Sequence, residues 1–157
     1  MSLPEVKGLL TDAGLADVAQ ACGLLIQYQD ASMTAAFNSK TVTPEGAQHG
    51  DQVMAFLYRT RQWAASVLSE RLGHTVSTDV QRRDADYFMQ DDNLAALIAA
   101  CNVMIGYIDV ATANADELEA LNPGHIEASD ELLGWIYGTR QAAENMLAER
   151  IDIQERN

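Results

Sequence analysis

Cysteine, proline and basic residues are all scarce in this sequence of 157 residues. The two cysteines, Cys22 and Cys101, form no C-x-x-C pair, which excludes a zinc ribbon or a thioredoxin-like redox site. No apolar run reaches the roughly 20 residues of a transmembrane helix, and the chain does not open with a signal-peptide pattern. We therefore expect a cytoplasmic protein that does not associate with a membrane.

Motifs that carry catalytic chemistry are also missing. The sequence has no Gly-x-Ser-x-Gly and no glycine-rich phosphate loop. It also lacks Glu-x-x-His, the metal-ligand motif of ferritin-like di-iron bundles. Neither cysteine has a histidine three or four residues away in its helix, so a Cys–His pair on one helix face is absent as well. These absences predict a protein without catalytic residues, a cofactor or a metal.

Basic residues are so few that the net charge is −13. Residues 1–78 contain seven acidic and five basic residues, whereas residues 79–157 contain sixteen acidic and five basic residues. Such a surface repels the phosphates of nucleic acids and of anionic membranes. The charge therefore argues against those partners and leaves room for protein partners and cations.

What the sequence does contain is an internal repeat. Residues 15–71 align with residues 94–150 at a constant offset of 79, without a gap and with 18 identities in 57 pairs. The clearest part is Y-x-T-R-Q, which begins at Tyr58 and again at Tyr137. Two copies are too few for a solenoid, so a duplicated helical hairpin is the natural interpretation.

Each copy has the periodicity of two amphipathic helices. Apolar residues recur at steps of three and four, and no alternating strand pattern occurs. We expect an N-cap at Asp12 for the first helix. Thr43-Pro44 and Asn122-Pro123 are predicted to start the second helix of each copy, with the proline at the first helical position.

These helices predict an all-α, four-helix bundle in a single domain. Hairpin 1 is expected at about residues 12–72, a connector at about 73–92 and hairpin 2 at about 93–151. The connector is long enough for a ferritin-like crossover along the bundle, or for a compact turn that contains a short helix capped by Ser77. We expect the compact turn, which gives an up-down-up-down order.

Polar residues that recur in both copies are the candidate ligand-binding residues, namely Arg61, Arg140, Tyr58, Tyr137, Asp30 and Asp109. If the twofold relation lies across the bundle, Asp30 can meet Arg140 in a structural ion pair, and Asp109 can likewise meet Arg61. If it lies along the bundle, the two arginines converge. Two guanidiniums beside tyrosine hydroxyls would then suit a carboxylate or a phosphate.

The sequence favours a non-enzymatic, acidic helical interaction or scaffold module that associates with itself as a homo-oligomer. Trp63 is expected at the interface because its counterpart in the second copy is only Ala142. The alternative is a protein or enzyme that binds a small anionic ligand in a pocket at the pseudo-twofold axis.

Overall fold

A computed structural model describes residues 11–77, 80–113 and 125–156, with side chains described for 11–77, 80–109 and 132–151. Within these ranges the chain forms four α-helices and one short 3-10 helix, and it contains no strand. The elements are α1 (Asp12–Asn38), α2 (Pro44–Leu72), η1 (Ala85–Met89), α3 (Asp91–Ala113) and α4 (His125–Arg156). The predicted all-α, four-helix bundle is confirmed. No described helix has an apolar stretch long enough to cross a membrane.

The start of α1 differs by one residue from the prediction. Thr11 is the N-cap, and its side chain accepts a hydrogen bond from the backbone N–H of Gly14 at 3.0 Å. Asp12 is the first helical residue, where its carboxylate still interacts favourably with the positive end of the helix dipole.

The limits of α2 follow from local chemistry. Thr43 accepts a hydrogen bond from the N–H of Gly46, and Pro44 occupies the first turn, as predicted. The helix ends at Leu72, and its C-cap is Gly73, whose positive φ of 74° is a backbone conformation that glycine adopts without strain. The corresponding predicted start at Asn122-Pro123 lies outside the described residues.

The core contains side chains from both hairpins. Corresponding positions are buried in both, including Leu15 with Leu94, Cys22 with Cys101, and Leu57 with Ile136. Aromatic rings cross the bundle diagonally: the rings of Tyr28 in α1 and Trp135 in α4 are 6.5 Å apart between centroids. Trp63 in α2 and Tyr107 in α3 are 6.1 Å apart. Trp63 is half-buried and its ring packs against the core, so its place at an interface between copies stays a prediction.

The two hairpins pack with α1 antiparallel to α3. The Sγ atom of Cys22 lies 3.7 Å from the Sδ atom of Met104, near the middle of both helices. The second half of α1, at Tyr28 and Ala35, lines the same cavity as Leu94 at the start of α3. The end of α1 and the start of α3 therefore lie at the same end of the bundle.

The connector must consequently run the length of the bundle, because α2 ends at the opposite end. Arg71 near the end of α2 forms an ion pair with Asp12 at the start of α1. From there the connector follows α1. The side chain of Gln27 donates a hydrogen bond to the backbone oxygen of Gln81 at 2.7 Å, after which η1 leads into α3.

The order is therefore up-down-down-up, with a ferritin-like crossover, and the expected up-down-up-down order is wrong. The prediction that Ser77 caps the short helix in the connector is wrong. It is the 3-10 helix η1, and its N-cap is Asp84. Residues 75–77 and 80–84 are not helical, so these described parts of the connector are extended, as a crossover along the bundle requires.

The hairpins also repeat an ion pair at the predicted offset. Asp12 pairs with Arg71 in hairpin 1, and Asp91 pairs with Arg150 in hairpin 2. Each pair joins the start of the first helix to the end of the second, and the partners are 79 positions apart in sequence between copies. A common ancestral hairpin accounts for this regularity, although the duplication itself stays a prediction.

Candidate functional site

Arg61 lies over α1 of its own hairpin. A Cβ atom added to Gly23 would lie 2.5 Å from Nη1 of Arg61 and 3.3 Å from its Cζ. The absence of a side chain at Gly23 thus makes room for the guanidinium beside the buried thiol of Cys22. Glycine inside a helix costs about 1 kcal/mol relative to alanine. The close approach of Arg61 gives a physical reason for a glycine at this position.

Arg140 occupies the corresponding place in hairpin 2 but has different contacts. Its Nη1 donates a hydrogen bond to Oδ1 of Asn102, the counterpart of Gly23, at 2.9 Å. Its Nε lies 3.7 Å from Oε1 of Glu144, and its guanidinium lies 5.0 Å from the ring centroid of Tyr137. A carboxylate at this distance weakens the attraction of Arg140 for a second anion.

The predicted ion pair between Asp30 and Arg140 is replaced by other contacts, whereas the pair between Asp109 and Arg61 stays a prediction. Asp30 pairs with Arg82 of the connector, with Nε and Oδ2 3.0 Å apart. Arg140 is held by Asn102 and Glu144 instead of Asp30. The arrangement with the twofold along the bundle, which would bring the arginines together, does not fit α1 and α3 as neighbours.

The remaining predicted residues lie on the surface. Tyr58 and Tyr137 are 48 % and 44 % exposed on α2 and α4. Asp109, the counterpart of Asp30, is exposed on α3. The six predicted residues thus lie in different surroundings: each arginine lies over its own hairpin, the tyrosines are exposed on α2 and α4, and the aspartates lie on α1 and α3. That they bind a ligand together stays a prediction.

The thiols of Cys22 and Cys101, which lie beside the two arginines, have low reactivity. Burial raises the pKa of Cys22 to about 12, against a smaller lowering by Arg61. Burial likewise raises the pKa of Cys101 to about 12, while Arg140 lowers it and Glu144 raises it to lesser extents. A thiol with so high a pKa carries almost no thiolate at neutral pH, so neither cysteine is suited to nucleophilic chemistry.

A site that the sequence did not predict lies where the connector meets α1. An apolar cavity of about 150 Å³ opens between α1, η1, α3 and α4. Next to it, a groove of about 500 Å³ contains Arg82 and Arg83. The signal in the sequence is an Arg-Arg pair followed closely by Tyr87 and Phe88 in a connector, where polar residues are usual.

The part of the chain whose side chains are described holds no group of three or more histidine, cysteine or acidic residues placed to bind a metal ion. Comparisons with protein-family models, with curated proteins and with solved structures gave no match for this chain. Its function must therefore be inferred from the surfaces and cavities described above.

Proposed function

We propose that this protein is a non-enzymatic helical interaction module that associates with copies of itself through the outer face of α2 and α4. The observation that carries the proposal is the exposure of Tyr58 and Tyr137, about half each, at corresponding positions of neighbouring helices. Tyrosine is enriched at protein interfaces because its ring adds contact area and its hydroxyl can be hydrogen-bonded. A face that repeats its own pattern suits a twofold contact between identical chains.

The local charge supports contact at this face. Residues 52–69 and 132–143 contain three arginines, Arg59, Arg61 and Arg140, and no acidic residue. The net charge of −13 makes two copies repel each other over most of their surface. The repulsion is smallest where acidic residues are absent, so the middle of α2 and α4 is the part of the surface that two copies approach most easily.

The buried, unpaired thiols of Cys22 and Cys101 support a cytoplasmic location for this module, since reducing conditions keep cysteines free. In this proposal the protein acts by assembly, as a scaffold, and not by catalysis.

Sedimentation velocity over a wide range of protein concentration tests the proposal. We expect a dimer whose dissociation constant falls as salt is added, because salt screens the repulsion between acidic surfaces. Replacing Tyr58 and Tyr137 together by serine should weaken the dimer by at least about tenfold, since interface tyrosines commonly contribute more than 1 kcal/mol.

The matched control replaces Phe37 and Leu72 by serine, because these side chains are as exposed but lie at the ends of helices. This variant should keep the dimer. A strict monomer at every concentration, or equal loss in the two variants, would contradict self-association through α2 and α4.

A further inference from the structure

The apolar cavity beside the connector has the size of a small organic group. Its volume of about 150 Å³ is close to that of a cavity that accepts a benzene molecule. Its walls come from four elements of the bundle and are almost entirely apolar. The residues that define it include Tyr28, Ala31, Phe88, Met89, Leu97 and Met146.

The cavity continues into the polar groove. Ala31, Ala35 and Ala85 line both the cavity and the groove, so the two spaces adjoin along one wall. The groove adds Arg82 and Arg83 from the connector. A molecule that filled the apolar cavity would therefore extend its free end toward two guanidiniums.

Of the two arginines in the groove, Arg83 is the better placed to bind a ligand. Its Nε atom is buried and donates no hydrogen bond within the described residues. Its guanidinium lies 4.6 Å from the ring centroid of Tyr87, which restricts the motion of the side chain before any ligand arrives. Arg83 also lines the groove, so a carboxylate placed there can accept a hydrogen bond from its guanidinium.

Arg82 has less capacity for a ligand because it already holds the connector against α1. It donates from Nε to Asp30 at 3.0 Å and from Nη2 to Thr34 at 3.4 Å. Asp84 also lines the groove. Two carboxylates in and around the groove disfavour a ligand with two negative charges, so a single negative charge suits the site best.

We propose that this cavity and groove bind a small amphipathic monocarboxylate, with an aromatic ring or a short alkyl chain in the cavity and the carboxylate on Arg83. The site is separate from the proposed self-association face, since neither Tyr58 nor Tyr137 lines it. The connector contributes both Arg83 and Phe88, so the site exists only because the crossover runs along α1.

The test uses 3-phenylpropionate as the probe, with 3-phenylpropan-1-ol and acetate as partial probes. Labelled methionine methyl groups provide the readout by NMR, because Met89 and Met146 line the cavity whereas Met54 does not. We expect 3-phenylpropionate to shift the Met89 and Met146 signals and to leave Met54 unchanged. The alcohol, which lacks the charge, should bind at least about tenfold more weakly, and acetate should not shift these signals.

Two variants separate the parts of the site. Arg83→Gln should remove the preference for the acid over the alcohol, with Arg59→Gln on α2 as its control. Ala35→Leu narrows the opening of the cavity and should weaken the acid and the alcohol alike by at least about tenfold. Its control is Ala16→Leu, since both alanines are exposed on α1. All four positions are exposed or half-buried, so the variants should fold.

Several results would overturn the assignment. One is the absence of any shift at Met89 and Met146 with millimolar 3-phenylpropionate. Another is equal affinity of the unchanged protein for the acid and the alcohol. A third is an equal loss of affinity for the acid in Arg83→Gln and in Arg59→Gln. Failure of the dimer would leave this site untouched, and failure of the site would leave the dimer untouched, so the two proposals are tested independently.

Discussion

The two arginine sites place the same residue beside different partners. In hairpin 1, Arg61 lies over Gly23, where no side chain intervenes. In hairpin 2, Arg140 donates a hydrogen bond to the side chain of Asn102 at the corresponding position. Both arginines lie near a buried thiol and face α1 or α3 of their own hairpin. The comparison teaches that the residue facing such an arginine can accommodate it in two ways. It can have no side chain and leave room, as Gly23 does, or it can accept a hydrogen bond, as Asn102 does.

The hairpins differ more strongly in what covers them. The connector runs along hairpin 1, where Arg82 pairs with Asp30 and Gln81 accepts a hydrogen bond from Gln27. The counterpart of Asp30, Asp109, is exposed on hairpin 2. Residues that recur in both copies therefore need not have the same environment, because one connector can cover only one of two similar faces.

The largest expected effect concerns the buried thiols, which should behave alike in the two hairpins. In the unfolded chain a cysteine has a pKa near 8.5, whereas in the folded protein both pKa values are raised to about 12. Below about pH 8.5 both states are protonated, and the stabilisation is fully present. As the pH rises toward 12, the unfolded chain loses protons that the folded protein retains. Stability should therefore fall by about 1.4 kcal/mol per pH unit for each thiol.

Urea unfolding between pH 8 and pH 11 measures this slope. The variant with both Cys22→Ala and Cys101→Ala should lose the part of the pH slope that the two thiols cause. Each single variant should lose half of that part. Unequal halves would show that the hairpins bury their thiols to different extents. An unchanged slope in the double variant would refute the explanation.

The next effect concerns the room beside Arg61. Gly23→Ala gains up to about 1 kcal/mol of helix propensity but places a Cβ atom 2.5 Å from Nη1 of Arg61. We expect the clash to cancel this gain. In the Arg61→Ala background, Gly23→Ala should stabilise the protein by about 1 kcal/mol because the clash is gone.

A double-mutant cycle from urea unfolding gives the coupling between the two positions. Gly106→Ala on α3 is the control, because nothing lies within 4 Å of the Cβ atom that it adds. Its gain should be the same with Arg61 present or absent. Additive effects of Gly23→Ala and Arg61→Ala would mean that Gly23 is not there to make room for the arginine.

The smallest expected effect is the difference in stability between the Asp30→Asn and Asp109→Asn variants. Asp30→Asn should destabilise the protein by about 0.5 kcal/mol, since it weakens a solvent-exposed ion pair with Arg82. Asp109→Asn should cost nothing, and both changes relieve the general negative repulsion equally. The difference in unfolding free energy should shrink in high salt. Equal costs at low salt would show that the connector contact contributes no stability.

Much of the fold could be predicted from the sequence, but little of the site. Thr43 and Pro44 start α2 as expected, because capping and proline geometry act within one turn of helix. The environment of Arg140 was predicted wrongly, because its position beside a helix stripe is compatible with several neighbours. The cavity beside Phe88 was missed, since it is lined by residues from four separate elements.

By itself, the sequence determined the helical class, the buried stripes and most of the helix boundaries of hairpin 1. These depend on the periodicity of side chains along one helix and on contacts a few residues apart. Only the tertiary structure decided the order of the helices, because up-down-up-down and up-down-down-up bundles bury the same stripes. The decision depends on contacts such as Gln27 with Gln81 and Asp30 with Arg82. Their partners are about 50 residues apart, a separation at which no local pattern predicts which side chains meet.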